Sequence, residues 1–80
     1  MYYIYILKSL ATPGKFYVGY TLDIPSRVIT HNKGGSIYTA DHKPWVLVFS
    51  GTFEDKFKAL AFERYLKTHS GRAFMQKRLV

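Results

Sequence analysis

The 80-residue chain contains no cysteine, and this absence constrains its fold more than any other single feature. Disulfides and thiolate metal sites, which stabilise many small proteins, are both excluded. A chain of this length buries only about 60–65% of the surface that it exposes when unfolded, so it needs an efficient apolar core. The composition supplies one, because 48% of the residues are hydrophobic and 18% are aromatic. We therefore predict a single ordered domain over residues 1–80 and not a disordered chain.

Three runs of β-branched and aromatic residues predict three strands, at residues 2–7, 16–21 and 45–49. The first two are close enough in sequence to form an antiparallel hairpin across a Thr-Pro-Gly turn. The third run is almost continuously apolar, which is typical of a strand buried on both faces.

A helix is expected between the second and third strands. Asp23 is a good N-cap, Pro25 falls in the first turn, and the helix should run to about Asn32 before the Gly34-Gly35 pair. The polar residues 36–44 then predict a loop.

The C-terminal third predicts two more helices. One begins near Asp55 and continues to about Thr68, the pair at 70–71 (Ser-Gly) breaks it, and residues 73–79 form a short last helix. The expected fold is therefore α+β, with a three-stranded, mainly antiparallel sheet flanked by helices in the order β-β-α-β-α-α.

The charge of the chain indicates a polyanionic partner. Twelve Lys and Arg against five Asp and Glu give a net charge of +7. After the last acid, basic side chains follow without compensation and could track a phosphate backbone: Arg64, Lys67, Arg72, Lys77 and Arg78. We expect DNA as the partner, with RNA as the alternative; a solvated basic helix face is the simpler interpretation.

No apolar run approaches the length of a membrane span, and we expect no membrane partner. The apolar start of the chain lacks the basic region and the cleavage site of a signal peptide. The expected location is therefore cytoplasmic.

Four side chains outside the basic cluster could carry proton transfer or phosphate binding. In a suitable register of the hairpin the phenols of Tyr5 and Tyr17 lie side by side, although single strand tyrosines are usually structural. Arg27 and His31 are four apart on one helix, so both project from one face. Arginine can grip a phosphate, and histidine can move a proton near neutral pH.

Glu63 lies in an apolar helical stretch, with Lys67 four residues later. A simple helix ion pair explains it, but one Mg²⁺ held by one carboxylate, water and substrate phosphate is also feasible. The three histidines lack ligand-like spacing, which excludes a structural zinc site. No acidic cluster suggests a two-metal site, and neither a phosphate loop nor a Ser–His–Asp arrangement is recognisable.

The order and spacing of these residues resemble the GIY-YIG nuclease domain. The resemblance rests on Tyr3-Ile4-Tyr5, on Tyr17-Val18-Gly19 about a dozen residues later, and on the positions of Arg27, His31 and Glu63. Shorter matches at 31–32 (His-Asn), 43–45 (Lys-Pro-Trp) and 59–60 (Ala-Leu) support it, so it covers essentially the whole chain. The chain is similar to small stand-alone bacterial proteins that consist of little more than this module.

The resemblance implies metal-dependent hydrolysis of a nucleic-acid phosphodiester, with low sequence specificity and a substrate structure of the kind met in repair or recombination. It implies that Tyr5 and Tyr17 are the paired site tyrosines, that Arg27 clamps phosphate, that His31 is the site histidine, and that Glu63 holds a single Mg²⁺ or Mn²⁺. The general base stays open among Tyr5, Tyr17 and His31. A protein partner could supply the specificity.

Three departures from the family pattern matter. Tyr3 stands where the first motif usually has glycine, no Asn follows Glu63, and the loop before Lys43 is less basic than in similar proteins. The last two indicate weaker substrate binding or altered specificity. The alternative function is a nucleic-acid-binding module of the same fold with little or no catalysis, which the retention of all five site residues disfavours.

Overall fold

The strands form one antiparallel sheet in the order β2-β1-β3. The computed structural model describes all 80 residues. Its elements are β1 (Tyr2–Ser9), β2 (Phe16–Thr21), α1 (Ile24–Asn32), α2 (Ile37–Ala40), β3 (Trp45–Phe53), α3 (Lys56–Leu66) and α4 (His69–Arg78). The predicted α+β architecture is confirmed. No helix has the length and apolar character that crossing a membrane requires.

The central strand β1 is buried on both faces, and it separates two clusters of apolar side chains. On one face, Ile4 and Ile6 pack with residues of α3 and α4, including Leu66 and Met75. On the other, Tyr5 and Leu7 pack with Trp45, and the partly buried side chains of α1 cover them. Alternation along β1 therefore sends every second side chain into the main core and the rest towards α1.

Side-chain caps begin three of the helices. Asp23 accepts a hydrogen bond from the Ser26 amide, and Asp55 accepts one from the Phe57 amide. Both caps satisfy amides that have no partner inside the helix. The predicted starts of α1 and α3 are confirmed.

The third strand is an edge strand, and the prediction of burial on both faces was wrong. Trp45 is 2% exposed, but Val46, Leu47 and Val48 are 37–43% exposed. The register shifts between Ile6, which pairs with Phe49, and Leu7, which pairs with Leu47, so Val48 forms a bulge. A continuous apolar run does not distinguish a central strand from a bulged edge strand, and β1 takes the central place.

A short helix lies where the sequence predicts a loop. Residues 37–40 form the single turn α2, preceded by Ser36. The polar composition of this segment hides the turn, because a four-residue helix has too few positions to show a periodicity.

The break between the last two helices lies earlier than predicted. α3 ends at Leu66 and α4 begins at His69, so the predicted break at 70–71 falls inside a helix. The Thr68 hydroxyl accepts a hydrogen bond from the Gly71 amide and caps α4. Gly71 is buried there because it packs directly against the backbone carbonyl of Tyr65. Its missing side chain serves close helix packing and not helix termination.

Gly71→Ala should therefore destabilise the protein, because the new Cβ would overlap the Tyr65 carbonyl and force α4 away from α3. We expect the free energy of unfolding to fall by about 1–3 kcal/mol. Urea unfolding followed by circular dichroism measures this. Ser70→Ala, at the exposed neighbouring position, is the control and should change stability by less than about 0.5 kcal/mol. Equal stability of the two variants would contradict the packing role of Gly71.

Candidate functional site

Two tyrosines and a histidine meet on the face of the sheet that α1 covers. The phenol oxygen of Tyr5 lies 2.9 Å from Nε2 of His31, within hydrogen-bond distance. The ring centroids of Tyr5 and Tyr17 are 6.1 Å apart, and those of Tyr17 and His31 are 4.8 Å apart. We call Tyr5, Tyr17 and His31 the tyrosine–histidine cluster. The structure thus brings together Tyr5, Tyr17 and His31, and it places the fourth predicted residue, Arg27, beside the Tyr5 phenol.

The register of the hairpin explains how the two tyrosines meet. Tyr5 pairs with Gly19, and Leu7 pairs with Tyr17. A side chain at position 19 would overlap the Tyr5 ring, so the absence of one lets the ring lie across β2. The Tyr5 phenol, carried by the central strand, thereby lies within reach of the histidine on α1.

His31 is fully buried, and both of its ring nitrogens have partners. While Nε2 faces Tyr5, Nδ1 lies 2.7 Å from the Thr39 hydroxyl of α2. The Thr39 carbonyl in turn accepts a hydrogen bond of 2.9 Å from the Trp45 indole. No buried side-chain nitrogen or oxygen of the protein lacks a partner. Such a fully satisfied network holds the ring in one orientation.

Thr39 was not among the predicted site residues. The residue lies eight positions after His31 in a segment predicted to be a loop, and no spacing rule connects the two. Asn32 is a further contributor: its amide accepts from the Trp45 backbone N–H and donates to the Trp45 carbonyl. This pair of bonds ties the end of α1 to the start of β3.

Burial and charge shift three pKa values in the site. Burial raises the pKa of the Tyr5 phenol, an effect that the neighbouring Arg27 guanidinium partly opposes. Interaction with the phenol raises the pKa of Arg27 further above its already high value. Burial, and then the charge of Arg27, lowers the pKa of His31. His31 is therefore neutral at pH 7.

Arg27 and Glu63 lie on different helices, α1 and α3, on either side of the sheet. Arg27 has no carboxylate partner, because the only ion pair of the protein joins Glu63 to Lys67 at 3.2 Å. The charge of Glu63 makes a small contribution to raising the pKa of Tyr5, from the far side of the sheet. The structure therefore places an unpaired guanidinium beside the Tyr5 phenol, whereas the Glu63 carboxylate is paired with Lys67 on α3.

Glu63 is the group with which the site could hold a divalent cation. Its side chain is 22% exposed, so a cation could reach it from solvent. No group of three or more His, Asp or Glu side chains lies close enough to hold a metal together. One carboxylate is compatible with the coordination preference of Mg²⁺, which keeps several water ligands and completes its shell with substrate phosphate oxygens.

The predicted basic cluster is exposed throughout, but only part of it lies beside the site. Lys67 and Arg72 line a cavity of about 390 Å³ together with Lys15. Tyr17 belongs to both the cavity and the tyrosine–histidine cluster. Arg64, Lys77 and Arg78 lie outside the cavity lining, on the exposed faces of α3 and α4. Lys15 was missed because it lies in the hairpin turn, far from the C-terminal cluster in sequence.

Comparisons with known proteins show the family to which the chain belongs. The GIY-YIG catalytic domain family matches residues 1–78. A UPF0213 protein of Lacticaseibacillus paracasei is 45% identical over 67 residues, which cover 82% of this chain and 73% of that protein. A UPF0213 protein of Staphylococcus saprophyticus is 43% identical over 70 residues, covering 86% and 83%. The solution NMR structure of a UPF0213 protein from Bacillus halodurans superposes with a TM-score of 0.58 at 30% identity, covering 95% of this chain and 82% of that one.

Gly19→Ala should disturb the site and the fold together, because the added methyl would overlap the Tyr5 ring. We expect a loss of about 1–3 kcal/mol in urea unfolding and weaker nuclear Overhauser contacts between the Tyr5 and His31 rings. Gly51→Ala on β3 is the matched control, since a methyl there meets only ordinary van der Waals contacts. Unchanged contacts between the Tyr5 and His31 rings in Gly19→Ala would refute this account of the close approach.

The burial of His31 also predicts a pH dependence of stability. Because its pKa is lowered in the folded state, the unfolded chain binds this proton at a pH where the folded chain does not. The contribution is fully present above the ordinary histidine pKa of about 6.5, and it is lost as the pH falls through that value towards the folded pKa. We expect the free energy of unfolding to decrease between pH 7 and pH 5. Urea titrations at both pH values should show a smaller decrease for His31→Gln; an equal decrease would rule out this role of His31.

Proposed function

The chain belongs to the GIY-YIG family, and from this premise we propose that it is a divalent-metal-dependent nuclease that hydrolyses phosphodiester bonds in DNA. The observation that carries the proposal is the hydrogen-bond distance of 2.9 Å between the buried Tyr5 phenol and His31, with Tyr17 and Arg27 beside it. A family match supports nuclease-type chemistry in general, whereas this contact supports a specific role for each residue.

Tyr5 is the general base in this proposal, and His31 takes its proton. A phenol is a poor base while it keeps its proton, and burial raises the pKa of Tyr5 further. His31 is neutral, and its Nε2 lies within hydrogen-bond distance of the phenol, so this nitrogen can take the phenolic proton. The resulting tyrosinate can remove a proton from an attacking water. Tyr17 contacts the His31 ring but has no hydrogen bond to it, so we assign it to orienting the water or the phosphate.

Arg27 has two roles in this scheme. Its charge favours the ionised form of Tyr5, as the direction of the interaction on that pKa indicates. Because no carboxylate of the protein neutralises it, its guanidinium is available to a phosphate group. Negative charge develops on the phosphoryl oxygens during attack, and a fixed cation beside them stabilises the transition state.

Glu63 is the residue that would hold the metal ion, Mg²⁺ or Mn²⁺. When bound, such an ion supplies further positive charge to the phosphoryl oxygens and the leaving group. Lys67 pairs with the Glu63 carboxylate in the structure. When a cation binds there, the Lys67 side chain would have to move away from Glu63 or turn towards the phosphate. Substrate binding and metal binding at Glu63 are therefore coupled through Lys67.

Affinity for DNA would come mainly from charge. The net charge of +7 and the exposed basic side chains beside the cavity favour the phosphate backbone over base edges. Low sequence specificity, a structure-selective role in repair or recombination and a specificity-supplying partner are part of the same proposal.

Cleavage of supercoiled and branched DNA with Mg²⁺, Mn²⁺ or EDTA tests this function. We expect metal-dependent nicking, and a loss of at least about 100-fold in Glu63→Gln and in Arg27→Ala, because each removes a group that meets the developing charge. Glu54→Gln, which removes an exposed acid outside the site, is the matched control and should keep wild-type activity.

Two outcomes would overturn the proposal. Wild-type cleavage by a folded Glu63→Gln preparation would remove the metal-binding role of Glu63. Binding of DNA in gel shifts without cleavage of any substrate would favour the non-catalytic binding module.

A further inference from the structure

Besides the Tyr5 phenol, a second fully buried hydroxyl contacts the imidazole of the site, that of Thr39. Thr39 is 1% exposed and belongs to the single turn α2. Its hydroxyl lies 2.7 Å from His31 Nδ1, on the side of the ring opposite to Tyr5. Its carbonyl is held by the indole of Trp45, so the position of Thr39 is anchored independently of His31.

Counting protons distinguishes the two arrangements that these distances allow. In the first, His31 Nδ1–H donates to Thr39, the Thr39 hydroxyl donates to the Ser36 carbonyl at 3.5 Å, and Nε2 accepts from Tyr5. In the second, Thr39 donates to Nδ1, and Nε2–H donates to the Tyr5 oxygen. The proton of the Tyr5 phenol then has no acceptor in the protein, although Tyr5 is only 1% exposed. The first arrangement gives every buried donor a partner, and buried donors are nearly always satisfied.

We propose that Thr39 is a positioning residue that holds neutral His31 in the Nδ1–H tautomer and so presents a bare Nε2 to the Tyr5 phenol. The inference deepens the proposed function and rests on it for its catalytic meaning. The step that it prepares is balanced within the chain: the Tyr5 O–H bond breaks, a bond from that proton to Nε2 forms, and a tyrosinate and an imidazolium result. Nδ1–H stays bonded to Thr39 throughout.

The opposite tautomer would block this transfer. With a proton already on Nε2, His31 could only donate to Tyr5, and the phenol could not lose its proton in that direction. Burial prevents bulk water from correcting the tautomer at either nitrogen, since His31 is fully buried. Whether the atom that faces Nδ1 accepts or donates a proton therefore decides whether Nε2 can accept the proton of Tyr5.

The tautomer can be measured directly, without any assay of activity. Long-range ¹H–¹⁵N correlation spectra distinguish a protonated from a bare ring nitrogen by its ¹⁵N shift. In the wild-type protein at pH 7 we expect His31 to carry its proton on Nδ1. Observation of the Nε2–H form in the wild-type protein would overturn the proposal, whether or not the protein is a nuclease.

Two substitutions separate the hydroxyl from the space that the residue fills. Thr39→Val keeps the shape and the backbone carbonyl that binds Trp45 but removes the acceptor for Nδ1–H, so the population should shift towards Nε2–H. Thr39→Ser keeps the hydroxyl and should keep the wild-type tautomer. An unchanged tautomer in Thr39→Val would overturn the role of Thr39. Trp45 fluorescence and thermal melting report whether each variant is folded, and the wild-type and Thr39→Ser spectra still test the proposal if Thr39→Val does not fold.

Kinetics on a DNA substrate give the second readout. If the tautomer prepares Tyr5, Thr39→Val should lower kcat by roughly 100-fold with KM nearly unchanged, and Thr39→Ser should restore kcat to within a few-fold. Wild-type kcat in a folded Thr39→Val variant would overturn the positioning role while leaving the nuclease intact. Absence of cleavage by the wild-type protein would instead count against the proposed function, and the tautomer measurement would still stand for Thr39.

Discussion

The fold depends on the central strand β1, which is covered by other elements on both faces of the sheet. β1 pairs with β2 and β3 along its length, and its alternating side chains enter two different clusters. The face towards α3 and α4 is purely apolar at its centre and provides most of the core. The opposite face buries Tyr5, a residue whose hydroxyl has to find a partner once it leaves water. His31 supplies that partner, so the burial that stabilises the sheet also assembles the candidate site.

Scarcity of acidic groups shapes the chemistry that the site could perform. With five acids against twelve basic residues and one ion pair, most basic side chains have no acidic partner. A site of this kind cannot neutralise phosphate repulsion with two metal ions held by several carboxylates. The mechanism that we propose relies instead on one metal ion at Glu63, on a guanidinium without a carboxylate partner and on proton transfer between neutral groups. Burial keeps His31 neutral, which is the state that such a transfer needs.

Much of this arrangement could be predicted from the sequence, and the errors have physical causes. The strand runs, the Asp23 and Asp55 caps and the alternation that aligns Tyr5 with Tyr17 are local signals, and the structure agrees with each of them. Local signals failed where a partner distant in sequence decides the outcome. In the sequence, Gly71 is typical of a helix break, but in the structure it packs against the Tyr65 carbonyl of α3.

The edge position of β3 and the role of Thr39 were hidden for a related reason. An apolar run does not indicate whether a strand has neighbours on both sides or lies at the edge of the sheet. The bulge at Val48 likewise has no recognisable sequence signal. The contact between Thr39 and His31 exists only in the folded chain, where α2 lies beside His31. Spacing rules describe contacts within one element, whereas this contact joins two elements through a loop.

The smallest element of the fold has a consequence for how the protein loses competence. α2 is a single turn without a side-chain cap, and it is held mainly by the bonds of Thr39 to His31 and Trp45. Such a turn opens at a lower free energy than the sheet unfolds, because few buried contacts oppose its opening. Warming or mild denaturant would then release the imidazole while β1 remains paired. The site would then lose its arrangement at a lower temperature than the one at which the whole chain melts.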